Sequence, residues 1–131
     1  MLPTTADQAA APSHPSAEDL EIRRPTVDDG AAMWRIARDS RTLDLNASYA
    51  YLLWARDFAA TSVVATVAGE PAGFVSGYLR PDAPGTLMVW QVAVDDAHRG
   101  RGIARRMLDA LVDGLDEPAG TLETTITADN E

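Results

Sequence analysis

Residues 86–94 read Thr-Leu-Met-Val-Trp-Gln-Val-Ala-Val, apolar almost throughout, and stop at Asp95-Asp96. A run of that length without alternation predicts a strand buried on both faces. Two further runs, 61–68 and 72–79, predict strands joined by a short hairpin loop at Gly69-Glu70-Pro71. Pro81-Asp82-Ala83-Pro84-Gly85 predicts a loop. Elsewhere the period is helical. Thr26-Val27-Asp28-Asp29 has the form of a capping box with Thr26 as N-cap, and Met33, Ile36 and Ala37 then mark one face of a helix ending near Ser40. After a loop at 41–46, a second helix is expected over 47–58. Tyr49, Leu52 and Leu53 share one of its faces, and Tyr51 and Trp54 lie on another. A third is expected from Gly102 to about Val112, with Ile103, Met107 and Leu111 as its buried stripe and Arg105 four residues before Asp109. Short strands at 21–24 and 122–127 complete the order: strand, two helices, three strands, helix, strand. That order is α/β (α+β), with a mixed central sheet flanked by helices.

The composition narrows the function. A chain of 131 residues has room for one domain. Residues 1–19, rich in Ala, Pro, Ser and Thr, are expected to be a disordered leader, leaving 20–131 as the folded unit. No apolar stretch reaches the roughly 18 residues of a membrane span, and no signal-peptide pattern opens the chain. The absence of cysteine excludes disulfides, thiolate metal sites and a cysteine nucleophile, and fits a cytoplasmic protein. Two distant histidines and scattered carboxylates form no metal-binding pattern, so no metal is expected. A net charge of −9 argues against nucleic acid or an anionic membrane as partner and suits a cationic substrate.

The chemistry concentrates where the third strand run meets the third helix. Val92 and Val94 close the strand, and Arg99-Gly100-Arg101-Gly102-Ile103-Ala104 follow. Glycine lets a backbone curl and approach a ligand, and the first amides of a helix lack partners while carrying the positive end of its dipole. Strand, glycine loop and helix start together make a cradle for a pyrophosphate. Other phosphate motifs do not fit. A Walker loop needs a lysine, and all eleven basic residues are arginine; the Rossmann fingerprint needs three glycines, and the loop has two. An RNA-binding Arg-Gly segment would be longer and repeated.

Arg99-x-x-Gly102-x-Ala104 resembles the acyl-CoA-binding motif Arg/Gln-x-x-Gly-x-Gly/Ala of the GNAT N-acetyltransferases. The resemblance implies a GNAT fold truncated after its fifth strand, since GNAT domains continue with another helix and two strands. It also implies acetyl-CoA as cosubstrate, bound by Val92, Val94, Arg99, Gly100, Arg101, Gly102, Ile103, Ala104 and Asn130, with an oxyanion-stabilising main-chain amide near Val92. A second resemblance is narrower. Asp44-Leu45-Asn46-Ala47-Ser48-Tyr49-Ala50-Tyr51-Leu52-Leu53, Val89-Trp90-Gln91-Val92-Ala93-Val94, the segment from Arg24 to Ala31 and the segment from Thr124 to Asn130 are similar to the L-2,4-diaminobutyrate acetyltransferases of ectoine biosynthesis. It implies acetyl transfer to the γ-amine of that diamino acid, with Asp44, Tyr49 and Trp90 at substrate-contacting positions, and a homodimer in the complete enzyme. Each also has a plain structural reading: a loop carboxylate, a helix core residue and a strand core residue. The residues name no general base or acid. A GNAT enzyme for another amine, or a CoA-binding fragment without turnover, are the alternatives.

Overall fold

The computed structural model describes residues 19–40 and 45–124. The expected leader, Asp44 and Asn130 lie outside the described residues, apart from Asp19 at the leader's end. The elements run β1 (Leu20–Arg23), α1 (Gly30–Ser40), α2 (Ser48–Asp57), β2 (Val63–Val67), β3 (Glu70–Leu79), β4 (Thr86–Val94), α3 (Ile103–Asp113) and β5 (Thr121–Thr124). The five strands form one sheet in sequence order, antiparallel from β1 to β4 and parallel between β4 and β5. This is the expected mixed sheet with helices on its faces.

Local chemistry accounts for the ends of most elements. Asp29 turns back to accept the Thr26 N–H at 2.7 Å, as a capping box requires, although the segment it caps is a 3-10 turn leading into α1. Arg23 grips the same carboxylate through both of its terminal nitrogens, at 2.8 and 2.9 Å. Burial alone would raise the Asp29 pKa, but the hydrogen bonds from Arg23 and the Thr26 amide outweigh it and hold it below the ordinary carboxylate value. The hairpin between β2 and β3 is tighter than the sequence predicts. Val67 pairs with Glu70, so the loop is Ala68-Gly69 alone, both at positive φ, and Pro71 lies inside the strand.

Two hydrophobic clusters sandwich the sheet. On one face Ile103, Met107 and Leu111 of α3 pack on Val63, Ala65, Val75, Leu87 and Val89. On the other, Met33, Ile36 and Ala37 of α1 and Tyr51, Trp54 and Ala55 of α2 pack on Val64, Phe74 and Ala93. The buried stripe of α3 is the predicted one. In α2 the outcome separates the two predicted faces: Tyr51 and Trp54 go inward, whereas Tyr49 is 67% exposed.

Strand β4 departs from its expected burial. Ser76 of β3 pairs with Gln91, but the next residue, Gly77, pairs with Val89. Trp90 is the extra residue of a β-bulge. The bulge changes the parity of the strand: Leu87 and Val89 face α3 before it, and Val92 and Val94 pack toward α3 after it. Trp90 is left 45% exposed, so β4 is not buried throughout. β5 pairs with residues 86–89 of β4, and its predicted continuation to 127 lies outside the described residues.

Candidate active site

Where β4 meets α3, an open cleft of about 360 Å³ is lined by Ser40, Val92, Ala93, Val94, His98, Arg99, Gly100, Gly102, Ile103 and Ala104. Most of the residues singled out as a pyrophosphate cradle therefore share one cleft. A 3-10 turn over Asp96–His98 leads from the strand, and Gly100 and Gly102 then turn the chain at φ +80° and +72°. Gly102 is the N-cap of α3 rather than its first helical residue, because the left-handed region ends a helix instead of continuing it. An added Cβ would meet nothing within 4 Å at either glycine. The backbone thus presents open space on the cleft side, as a cradle for a large anion needs. The first intrahelical bond runs from Arg106 N–H to Gly102 O, at 3.1 Å. The N–H groups of Ile103, Ala104 and Arg105 consequently begin the helix with no intrahelical acceptor, at the positive end of its dipole. The donor set fits a pyrophosphate.

The β4 side of the cleft supplies peptide groups. Asp95 N–H donates to Ala72 O of β3 at 2.7 Å. In an antiparallel ladder consecutive residues point their N–H and C=O to opposite edges. Val92 and Val94 therefore direct theirs away from β3, toward the edge that an extended ligand arm could pair with. Arg99 is half exposed and forms an ion pair with Asp96 at 2.8 Å. Arg101 is exposed between the two glycines.

The bulge is held from behind. Thr61 Oγ1 donates to Gly77 O at 2.6 Å, and Gly77 N–H donates to the buried Ser62 Oγ at 3.2 Å. These two hydroxyls occupy the β3 backbone next to the point where β4 leaves register. A side chain at 77 would bring a Cβ within 2.9 Å of Met88 O and 3.0 Å of Thr61 O, so the close approach requires glycine.

Trp90 projects from the bulge into a row of rings. Its centroid lies 4.5 Å from Trp54 and 6.0 Å from Tyr78, and Tyr78 in turn lies 6.2 Å from Phe58. With 45% of Trp90 exposed, part of the indole remains in solvent. Tyr49, in the first turn of α2, takes part in none of these ring contacts among the described residues. The core alternative for Tyr49 fails on its exposure, and the core alternative for Trp90 holds for only part of its ring.

Three further residues of this region were not among those expected at the site. Ser40 reaches the cleft because α1 ends against β4. His98 lines it with a buried Nδ1 that has no hydrogen-bond partner among the described residues. Gln91 precedes the cleft residue Val92 on β4, and Tyr51 donates its hydroxyl to Gln91 Oε1 at 3.1 Å. Only Gln91 was discernible beforehand, as the one polar side chain between Leu87 and Val94.

Comparison with known proteins agrees with this geometry. Residues 30–131 match the acetyltransferase (GNAT) family. An L-2,4-diaminobutyric acid acetyltransferase of Streptomyces anulatus is 59% identical over 133 residues, covering 99% of this chain and 73% of the relative. Its counterpart in Streptomyces coelicolor is 62% identical over 115 residues, covering 86% of this chain and 68% of the relative. Among solved structures, the diaminobutyrate acetyltransferase of Paenibacillus lautus, in complex with L-2,4-diaminobutyric acid and coenzyme A, superposes with a TM-score of 0.79 at 40% identity, over 85% of this chain and 68% of that one. With the cradle, the bulged β4 and these identities together, the chain belongs to the GNAT acetyltransferase family and, within it, to the L-2,4-diaminobutyric acid acetyltransferases.

Proposed function

We propose that the protein transfers the acetyl group of acetyl-CoA to the γ-amine of L-2,4-diaminobutyrate, forming N-γ-acetyl-diaminobutyrate for ectoine biosynthesis. The observation that carries the reaction class is the single cleft in which the α3 amides and the outward-turned peptide groups of Val92 and Val94 meet. The substrate comes from the relatives at 59% and 62% identity.

In this reading the amides from Gly100 to Ala104 hold the pyrophosphate, with Arg99 and Arg101 adding positive charge at its rim. Val92 and Val94 pair through their backbone with the pantetheine arm, and Asn130 also contacts CoA. Asp44 holds an ammonium group of the substrate, and Tyr49 and Trp90 wall the acceptor pocket with flat surfaces that each end in a polar tip. An alkyl ammonium has a pKa of about 10, so the γ-amine must lose a proton before it attacks. The neutral nitrogen forms a bond to the thioester carbonyl carbon, the carbon–sulfur bond breaks with the pair leaving on the CoA thiolate, and the extra proton on nitrogen is given up to leave the neutral amide and, on the sulfur, the CoA thiol. The oxyanion formed in between takes a hydrogen bond from the amide near Val92. The reading includes a cytoplasmic, homodimeric enzyme that uses neither nucleic acid nor a membrane; among the described residues no helix is long and apolar enough to cross one.

A free-thiol assay with acetyl-CoA and L-2,4-diaminobutyrate tests it. The expected result is thiol release that depends on the diamino acid, with the mass of the γ-acetylated product. Binding of CoA without release, or release with unrelated amines instead, would overturn the reading. Size-exclusion chromatography with light scattering checks the dimer.

A further inference from the structure

We propose that Tyr51 and Gln91 are positioning residues for the acceptor side of acetyl transfer, acting through the register of β4; the inference rests on the acetyltransferase reading above. Tyr51 is fully buried and Gln91 nearly so. Their contact spans forty residues of sequence and joins α2 to the bulged strand. The same hydroxyl accepts the Asn46 N–H at 3.4 Å, so one oxygen ties the chain leading into α2 to the strand beneath the cleft.

Hydrophobic packing alone would not need these polar groups. Phenylalanine and leucine would fill the two places without burying an amide and a phenol. The neighbourhood already carries one unsatisfied polar atom. Ser76, which pairs across the ladder with Gln91, has a buried Oγ with no partner among the described residues. What the pair supplies is uniqueness. Leu-Met-Val-Trp before Gln91 and Val-Ala-Val after it contain no other polar side chain, so hydrophobic burial hardly distinguishes the bulged register from one slipped by a residue. A slip would turn Gln91 to the α3 face, among Val63, Val75 and Met107. There its amide would meet only apolar side chains. The bond to Tyr51 selects the register that puts Gln91 against α2.

That register is what the site uses. It leaves Trp90 as the bulged residue, half in solvent, on the acceptor side of the strand. Through Asn46 it also fixes the approach to α2, whose first turn carries Tyr49. The phosphate cradle is built on the far side of Val94 and does not depend on the bond.

The test compares Tyr51→Phe, Gln91→Leu and the double variant with the parent chain. Three measurements are made: thermal melts, separate KM values for diaminobutyrate and acetyl-CoA, and the Trp90 indole N–H resonance, assigned by loss in Trp90→Phe. Tyr51→Phe should lower the melting temperature and raise the diaminobutyrate KM about tenfold, leaving that for acetyl-CoA within about twofold, since the hydroxyl's bonds to Gln91 and from the Asn46 N–H are both lost on the acceptor side. The double variant also removes the Gln91 amide that Tyr51→Phe leaves without the hydroxyl, so the melting temperature should recover in part while the acceptor KM stays high. The indole resonance should shift or split in both. An unchanged acceptor KM in Tyr51→Phe would overturn the proposal. So would a double variant that regains both stability and KM, because the pair would then be only part of the core. If the parent chain turns over no diamine, the acetyltransferase reading falls separately, and the resonance decides the register role: splitting supports it, and an unmoved resonance ends it.

Discussion

Replacing Gly102 with alanine adds one carbon at the place where the cleft is most open. No atom lies within 4 Å of that carbon, so the unliganded protein has room for it. The folding cost comes instead from φ +72°, a region that charges a residue with a side chain about 1–2 kcal/mol. In a domain of this size that is a fall of roughly 4–16 °C in melting temperature. Binding suffers for a different reason. The new methyl group enters the open space of the loop, where on the cradle reading a pyrophosphate oxygen must approach the helix-start amides to within hydrogen-bond distance. Losing one charge-assisted hydrogen bond there costs about 1.5–3 kcal/mol, or roughly 10- to 150-fold in CoA affinity. Gly102→Asn separates the two effects, since asparagine tolerates left-handed backbone yet still obstructs the approach. Calorimetric titration of CoA, with melts in its absence, should show the asparagine variant stable but weak in binding and the alanine variant impaired in both. If either variant bound CoA as tightly as the parent while folded, the phosphates would not sit above Gly102, and the cradle would have to be placed elsewhere.

Gly77→Ala should destabilise by about 1–3 kcal/mol in urea unfolding, because the new Cβ meets the backbone oxygens of Met88 and Thr61 at 2.9 and 3.0 Å and neither can move alone. Parent stability would show that β3 and β4 separate there freely. Asp44→Asn should lower kcat/KM for diaminobutyrate about 10- to 150-fold while CoA affinity holds, since it removes the anion paired with an ammonium group; unaltered kinetics would make Asp44 an ordinary loop residue. The depressed pKa of Asp29 adds stability that is fully present above the ordinary carboxylate pKa of about 3.9 and lost as pH falls through the lower folded value. Asp29→Asn should accordingly be less stable than the parent near neutral pH and converge with it in strong acid. Parallel stability curves for the two proteins across that range would refute the assignment.

The features legible in the sequence are those set by neighbours in the chain. The turn at 99–104 needs only two glycines and a helix start; the stripe of α3 needs only its period; the Thr26–Asp29 contact spans three residues. Each is specified by local geometry, so reading the residues in order recovers it. The features that escaped depend on which surface an element meets. A strand as apolar as 86–94 has no alternation to betray a bulge, and the parity change at Trp90 arises from β3, where Gly77, Thr61 and Ser62 hold the backbone. In α2, Tyr49 and Tyr51 are equally good core residues by type. Only docking of the helix on Phe74 and Ala93 of the sheet sends Tyr51 inward, where its hydroxyl finds Gln91, and leaves Tyr49 in solvent. Ser40 enters the cleft because α1 ends against β4. Hydrophobic pattern states how much surface a segment must bury, whereas the partner that buries it is chosen by packing among residues dozens of positions apart.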